Sequence, residues 1–294
     1  MELPLEESLK AVILGCVSFI QEQIRDSQEI HIPVHETRRT TRRIRAVLQM
    51  IRDEIGYSNY YRENIFYRDL ARRISPLRDH YVLQRTIAGF HHEFPEEFPE
   101  SEMMAIGDSL NHLLEDDIRH FTDRWGGFDR IREELDKAAG RVDHYCRLRN
   151  GFVSVRKGIC RVYKRGYKYP RILQESFSKE QFHEYRKSTK YLLYQMELIR
   201  PAYPKMITAY AGTINKHAEM IGNTRDYERL ERYILAGMGS RHLDANRRRM
   251  VKGIQNRREE LMQKIYSGAN RIYAEKPSGF VKRLGTYWNT KQLA

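Results

Sequence analysis

An all-α fold is the expectation for this 294-residue chain, and three observations carry it. Only nine prolines and 18 glycines interrupt the sequence. Long stretches place apolar residues three and four apart, the spacing of an amphipathic helix. The turn-bounded alternation that strands need is nearly absent.

The first helix is expected over Leu5–Ser27. Its apolar run, Ala11–Ile20, has only ten residues, too few to span a bilayer. Acidic Glu2, Glu6 and Glu7 ahead of that run do not suit a secretory signal, so the segment is expected to be a buried helix. A short link, Gln28–Pro33, leads into Val34–Arg52, around which the charge pattern organises the chain. From His35 onward it holds Arg38, Arg39, Arg42, Arg43, Arg45 and Arg52 against one acid, Glu36. At about 100° per residue, Ile44, Val47, Leu48, Ile51 and Ile55 share a face that Thr37 and Thr40 continue. His35, Arg38, Arg42, Arg45 and Arg52 lie roughly opposite, with Arg39 and Arg43 beside them. Surface helices normally intersperse acids at i,i+4. These arginines have almost none nearby, so distant acids or an anion must neutralise them.

That helix is expected to end near Gly56 and the next to cover Tyr60–Ile74. Ser75-Pro76 then offers an N-cap followed by proline at the first helical position, opening a helix with Arg78, Asp79, Val82 and Leu83. His91–Glu102 is read as a proline-broken acidic loop. Its adjacent His91 and His92 lack a third ligand at convincing spacing, so no metal site is assigned. Further helices are expected over Glu102–His120 and Phe128–Arg149, separated by Trp125-Gly126-Gly127.

In the second half, Val155–Lys168 carries Lys157, Arg161, Lys164 and Lys168 as a basic stripe, with Arg165 beside it, and Pro170 is expected to stop the helix. Phe182–Arg200 then repeats the opening pattern. His183, Arg186, Lys187 and Lys190 correspond to His35, Arg38, Arg39 and Arg42 at an offset of 148. Arg225-Asp226 corresponds to Arg78-Asp79 at 147. The period is far too long for a solenoid. It implies a duplicated helical bundle, with a first repeat over 1–150 and a second over 151–294, forming a single domain. Two basic helices facing one another would make a cationic groove.

Bulk composition agrees. Lys and Arg number 52 against 39 Asp and Glu, a net charge of +13, which suits a polyanion such as nucleic acid, polyphosphate or an anionic membrane surface. Three scattered cysteines, Cys16, Cys146 and Cys160, define neither a disulfide framework nor a zinc site, and a reducing cytoplasm is expected.

The pattern H-x-x-R-x-x-x-R-R-[IL]-R at His35, repeated from His183, resembles the CHAD family, the conserved-histidine α-helical domains. So do the leading helix, both Arg-Asp pairs, the central Arg161-Val-Tyr-Lys-Arg-Gly166 and the C-terminal Lys276-Pro-x-x-Phe280-x-x-Arg283-Leu. The resemblance implies two pseudo-symmetric four-helix bundles with a basic groove between them, and non-enzymatic binding of inorganic polyphosphate without a cofactor. It implies a site drawn from His35, Arg38, Arg39, Arg42, Arg43, Arg45, Lys157, Arg161, Lys164, Arg165, His183, Arg186, Lys187 and Lys190. A cytoplasmic location, at polyphosphate granules, would follow. Tyr191, Leu193 and Tyr167 stand where the family tends to have arginine, so the first basic helix is expected to be the stronger wall. The two histidines either cap or pack at the helix starts, or donate to phosphate. Asp79 and Asp226 are expected to hold basic side chains or a helix N-terminus. Two other function classes remain: a nucleic-acid-binding protein, which charge alone permits, and a metal-dependent polyphosphate or triphosphate hydrolase. The hydrolase would need clustered carboxylates, whereas the acids concentrate in Glu93–Glu102.

Overall fold

A computed structural model describes residues 5–98, 100–144, 148–149, 151–236 and 245–291. Cys146 and Glu2 lie outside the described residues. Among those described, the chain is all-α, with twelve α-helices and no strand. Nor is any helix long and apolar enough to cross a membrane.

Helix α1 (Leu5–Asp26) buries Leu9, Ile13, Cys16, Val17 and Ile20 along one stripe. Each such aliphatic side chain contributes about 1.5–3 kcal/mol by leaving water. Helix α2 (His31–Met50) starts before Pro33, so the expected link is shorter. Proline is tolerated in a first turn because its missing N–H would be unpaired there anyway. Thr37 and Thr40 are buried with Ile44, Val47 and Leu48, as the face predicts. The helix breaks at Ile51; a single turn, α3 (Arg52–Ile55), follows and ends at Gly56, whose φ of 79° favours glycine.

Helices α4 (Tyr57–Arg73) and α5 (Ser75–Glu93) meet at a break on Ile74. Ser75 is not the N-cap expected of it. It is the first helical residue, and its hydroxyl donates back to the Ala71 carbonyl at 2.9 Å, the competing i−4 bond open to serine. Since α5 runs to Glu93 and α6 (Glu100–Arg119) starts before Glu102, the expected acidic loop is helical at both ends and its described non-helical part is 94–98. One wide turn, His120–Arg124, extends α6. Gly126 and Gly127, with φ of 82° and 57°, then break the chain ahead of α7 (Gly127–Ala139). Helix α7 stops ten residues short of the expected Arg149, followed by a 3₁₀ turn over Val142–His144.

Helix α8 (Val153–Glu175) passes through Pro170. Burial of Leu173 beyond the proline and a hydrogen bond from Tyr266 Oη to the Leu173 carbonyl (3.3 Å) hold the last turn, overriding the proline. Helices α9 (Lys179–Ile199), α10 (Pro204–Leu235), α11 (Ala245–Ile272) and α12 (Pro277–Lys291) complete the fold. Helices α1 and α8 start at Leu5 and Val153, α2 and α9 at His31 and Lys179.

Helices α1, α2, α4 and α7 pack together, as do α8, α9, α10 and α11, with α12 against α8. One hydrophobic core runs through both sets, from Ile13 and Ile44 to Leu192, Ile214 and Leu284. At its centre α2 crosses α9, where Gln195 Nε2 donates to the Ala46 carbonyl at 3.3 Å. Gly158 lets α8 lie against the α2 backbone; a Cβ there would overlap the Met50 carbonyl. A smaller core, around Phe90, Phe98, Leu110, Leu230 and Ile254, ties the α5–α6 pair to the far ends of α10 and α11.

Candidate functional site

Where α2 and α9 approach one another, α5 and α10 close the sides of a cleft of about 560 Å³. Eight cationic side chains line it: Arg38, Arg39 and Arg42 from α2, Arg78 from α5, Arg186 and Lys190 from α9, and Arg225 and Arg229 from α10. Four carboxylates accompany them, Asp79, Glu197, Glu219 and Asp226.

The partners of these groups differ sharply. Arg229 makes a two-pronged pair with Asp79, at 2.8 and 2.9 Å, a geometry suited to guanidinium and carboxylate. Asp226 lies 3.9 Å from the same guanidinium. Asp79 thus holds a basic side chain, as expected. Arg38 Nη1 donates to the Ala71 carbonyl (3.2 Å) and to Ser75 Oγ, so the break between α4 and α5 anchors it. On the flanks Arg39 pairs with Glu36 at 2.8 Å and Lys187 with Glu184 at 3.2 Å. Among the described residues, no ion pair reaches Arg42, Arg186, Lys190 or Arg225, and the buried Arg186 Nε meets no acceptor.

The consequence is strain in the charge distribution. Burial, with Arg42 and Arg225 nearby, pushes Arg186 down to about 9. Burial, with Arg186 and Arg42, pushes Lys190 down to about 8. Arg38 falls to about 10, mainly through burial, against the pull of Asp79. Arg78 and Arg225 are also lowered by burial. Lost hydration and mutual repulsion both disfavour the charged forms. A guanidinium keeps its proton at neutral pH regardless, so its depression measures lost hydration first and repulsion second, and an incoming anion would offset both. Burial raises the Asp226 carboxyl despite Arg229 and Arg186.

His35 is held down to about 4, first by partial burial and then by Arg78, Arg39, Arg42 and Arg38; His183 is lowered by burial, Arg225 and Arg186. Both are neutral at pH 7. Neither caps its helix. Each sits a full turn inside, and Ser178 caps α9 by accepting from the Gln181 N–H at 3.4 Å.

The structure therefore brings together His35, Arg38, Arg39, Arg42, Arg186 and Lys190, with His183 beside Arg186 and Arg225 and Lys187 on the rim. It does not bring Arg43 or Arg45 there. At about 100° per residue they stand roughly 80° to either side of the cleft-facing line. Arg43 turns toward Cys16 and Phe19 of α1. Arg45 donates to Asn64 Oδ1 at 3.0 Å and lies over the Tyr191 ring. The central segment is elsewhere too. Arg161 pairs with Asp53. Arg165 stands with Arg45, Arg52 and Arg161 around Tyr60. Lys157 faces α12 near Lys282, and Lys164 is exposed. Arg78, Arg225 and Arg229 were absent from the expected site, although the repeated Arg-Asp pairs marked the first two positions.

A family model described as the CHAD domain matches residues 13–235. The chain belongs to the CHAD domain family. The crystal structure of the CHAD domain from the plant Ricinus communis is similar over 92% of each chain, with a TM-score of 0.54 and 16% identity. At that identity the likeness concerns the fold. Comparison with curated proteins finds no match. The CHAD match takes in every helix that lines the cleft, from α2 to the end of α10.

Proposed function

We propose that this CHAD chain binds inorganic polyphosphate in the cleft and does not transform it. The observation that carries the reading is the set of Arg42, Arg186, Lys190 and Arg225, converging from three helices without a carboxylate partner among the described residues. A linear phosphate polymer offers repeated charge and only oxygen acceptors. Forked guanidinium donors on rigid helices match it with little ordering to be done. Polyphosphate itself comes from the family resemblance. The near absence of aromatic rings in the cleft, where Tyr194 is the one lining residue of that kind, favours it over nucleic acid, whose single strands are held by stacking. For a hydrolase, Asp79 is the wrong kind of carboxylate, being engaged by Arg229. The same reading takes 1–150 and 151–294 as copies of one bundle and places the protein in the cytoplasm with polyphosphate granules.

The test is titration with long-chain polyphosphate at two salt concentrations. With about four phosphates neutralised, and a slope of roughly −0.7 per phosphate as for single strands, affinity should fall about fiftyfold between 50 and 200 mM salt. Duplex DNA should compete poorly. Release of phosphate with Mg²⁺ or Mn²⁺, or equal competition by DNA, would count against the proposal.

A further inference from the structure

The two basic helices carry matched residues, but their surroundings differ at one point. In the first half, α4 ends and α5 begins at Ile74. A helix end leaves carbonyls without N–H partners, and Arg38 uses this: it binds the Ala71 carbonyl and the Ser75 hydroxyl. In the second half the corresponding stretch is the unbroken α10, 32 residues from Pro204 to Leu235. Its carbonyls are taken up by the helix itself. Among the described residues Arg186, which matches Arg38, has no carbonyl or hydroxyl to hold, and its buried Nε stays without an acceptor. Its close charged neighbours are Arg42, Arg225 and Arg229, with Asp226 as the counterweight, and Arg229 is itself occupied by Asp79.

We infer that the cleft holds one dominant phosphoryl anchor, on the α9 side. It is built on Arg186 with Arg42, Lys190 and Arg225 around it, while Arg38 is a strut that fixes the α4–α5 break. This rests on the polyphosphate reading above and specifies which part of the site takes a single phosphoryl unit most tightly. It also reverses the ranking of the two walls drawn from charge count alone. The second helix has fewer cations, but among the described residues both of those it turns into the cleft, Arg186 and Lys190, are left without an ion pair, against Arg42 alone on the first helix, where Arg38 and Arg39 are engaged. The low proton affinities of Arg186 and Lys190 agree: both are buried and repelled without an ion pair among the described residues, whereas Arg38, also lowered, has its N–H groups held by two acceptors. A short ligand therefore goes to the anchor first, and a long chain extends from it.

The full-length chain is titrated calorimetrically with inorganic tripolyphosphate and with long-chain polyphosphate, as wild type and as Arg186→Gln, Arg38→Gln, Lys190→Gln and Lys187→Gln. Arg186→Gln should weaken both ligands at least tenfold, yet melt at or above the wild-type temperature without ligand, because a repelled cation is gone. Arg38→Gln should lose less than threefold in affinity and melt at a lower temperature. Equal losses in the two variants, or none in Arg186→Gln, would overturn the anchor while leaving polyphosphate binding intact. Wild type binding neither ligand overturns both. Should Arg186→Gln fail to fold, Lys190→Gln against the rim variant Lys187→Gln decides: a tenfold loss against less than twofold supports the anchor, and the reverse sinks it.

Discussion

If the cleft binds polyphosphate as proposed, Lys190 makes that binding proton-linked, and the size of the effect follows from its surroundings. Burial beside Arg186 and Arg42 lowers its ammonium from an ordinary 10.5 to about 8. A bound polyanion supplies the missing counter-charge and returns the group toward its ordinary range, so binding takes up a proton wherever free Lys190 has lost one. At pH 7 nearly every molecule is already protonated and the linkage is silent. At pH 9 only about one in eleven is, and binding must supply the proton, which costs about 1.4 kcal/mol, or tenfold in affinity. Without ligand the sign reverses. The folded chain holds this proton more weakly than the unfolded one, so stability rises with pH between about 8 and 10.5. The total gain is on the order of 3 kcal/mol. The assay is titration with long-chain polyphosphate at pH 7, 8 and 9, at constant ionic strength, on wild type and Lys190→Arg. Wild type should weaken about tenfold between pH 7 and 9. Lys190→Arg, whose guanidinium stays charged, should change less than twofold. Parallel pH profiles in the two proteins would refute the reasoning.

Two further outcomes test the fold that positions the site. Gly158→Ala should destabilise by about 3 kcal/mol or more in denaturant melts, because a Cβ would overlap the Met50 carbonyl at the α2–α8 contact. A wild-type midpoint would mean that the helices are not that close. Asp79→Asn should lower stability by about 1–3 kcal/mol, since it leaves the partly buried Arg229 without its two-pronged acceptor. It should also tighten polyphosphate binding by freeing a cation, and weaker binding would contradict the assignment of Arg229 to Asp79.

Much of this architecture was legible as periodicity. The buried faces of α1 and α2 follow from apolar spacing, and the pairing of His35, Arg38 and Arg42 with His183, Arg186 and Lys190 follows from a constant offset. What the pattern could not give was angular limit and partner. A stripe from Arg43 to Arg45 spans about 160°, more than one cleft can accept, and the neighbours decide which residues enter it. Arg78, Arg225 and Arg229 lie where bases alternate with acids such as Asp79, Asp226 and Glu228, which reads as an ordinary solvated face; only folding makes them neighbours of α2 and α9. Pro170 and Ser75 misled for a related reason. Each local rule is sound, but the burial of Leu173 and the acceptors at the α4–α5 break are tertiary facts. Whether Arg38 or Arg186 is free depends on helix continuity 36 or 37 residues away in sequence, where Ser75-Pro76 stands in one half and Gly222-Asn223 in the other.

The single core shared by both halves bears on how the protein is made. The walls of the cleft come from α2, α5, α9 and α10, so the last cation arrives only when the chain has reached Arg229. Until then α2 leaves the ribosome with Ala46 and Met50 uncovered on the side that α9 and α8 later close. All four walls of the cleft are therefore present once α10 has been made, while α11 and α12 have still to add Ile265, Phe280 and Leu284 to the shared core. A nascent chain that stops short of α10 carries arginines but no cleft.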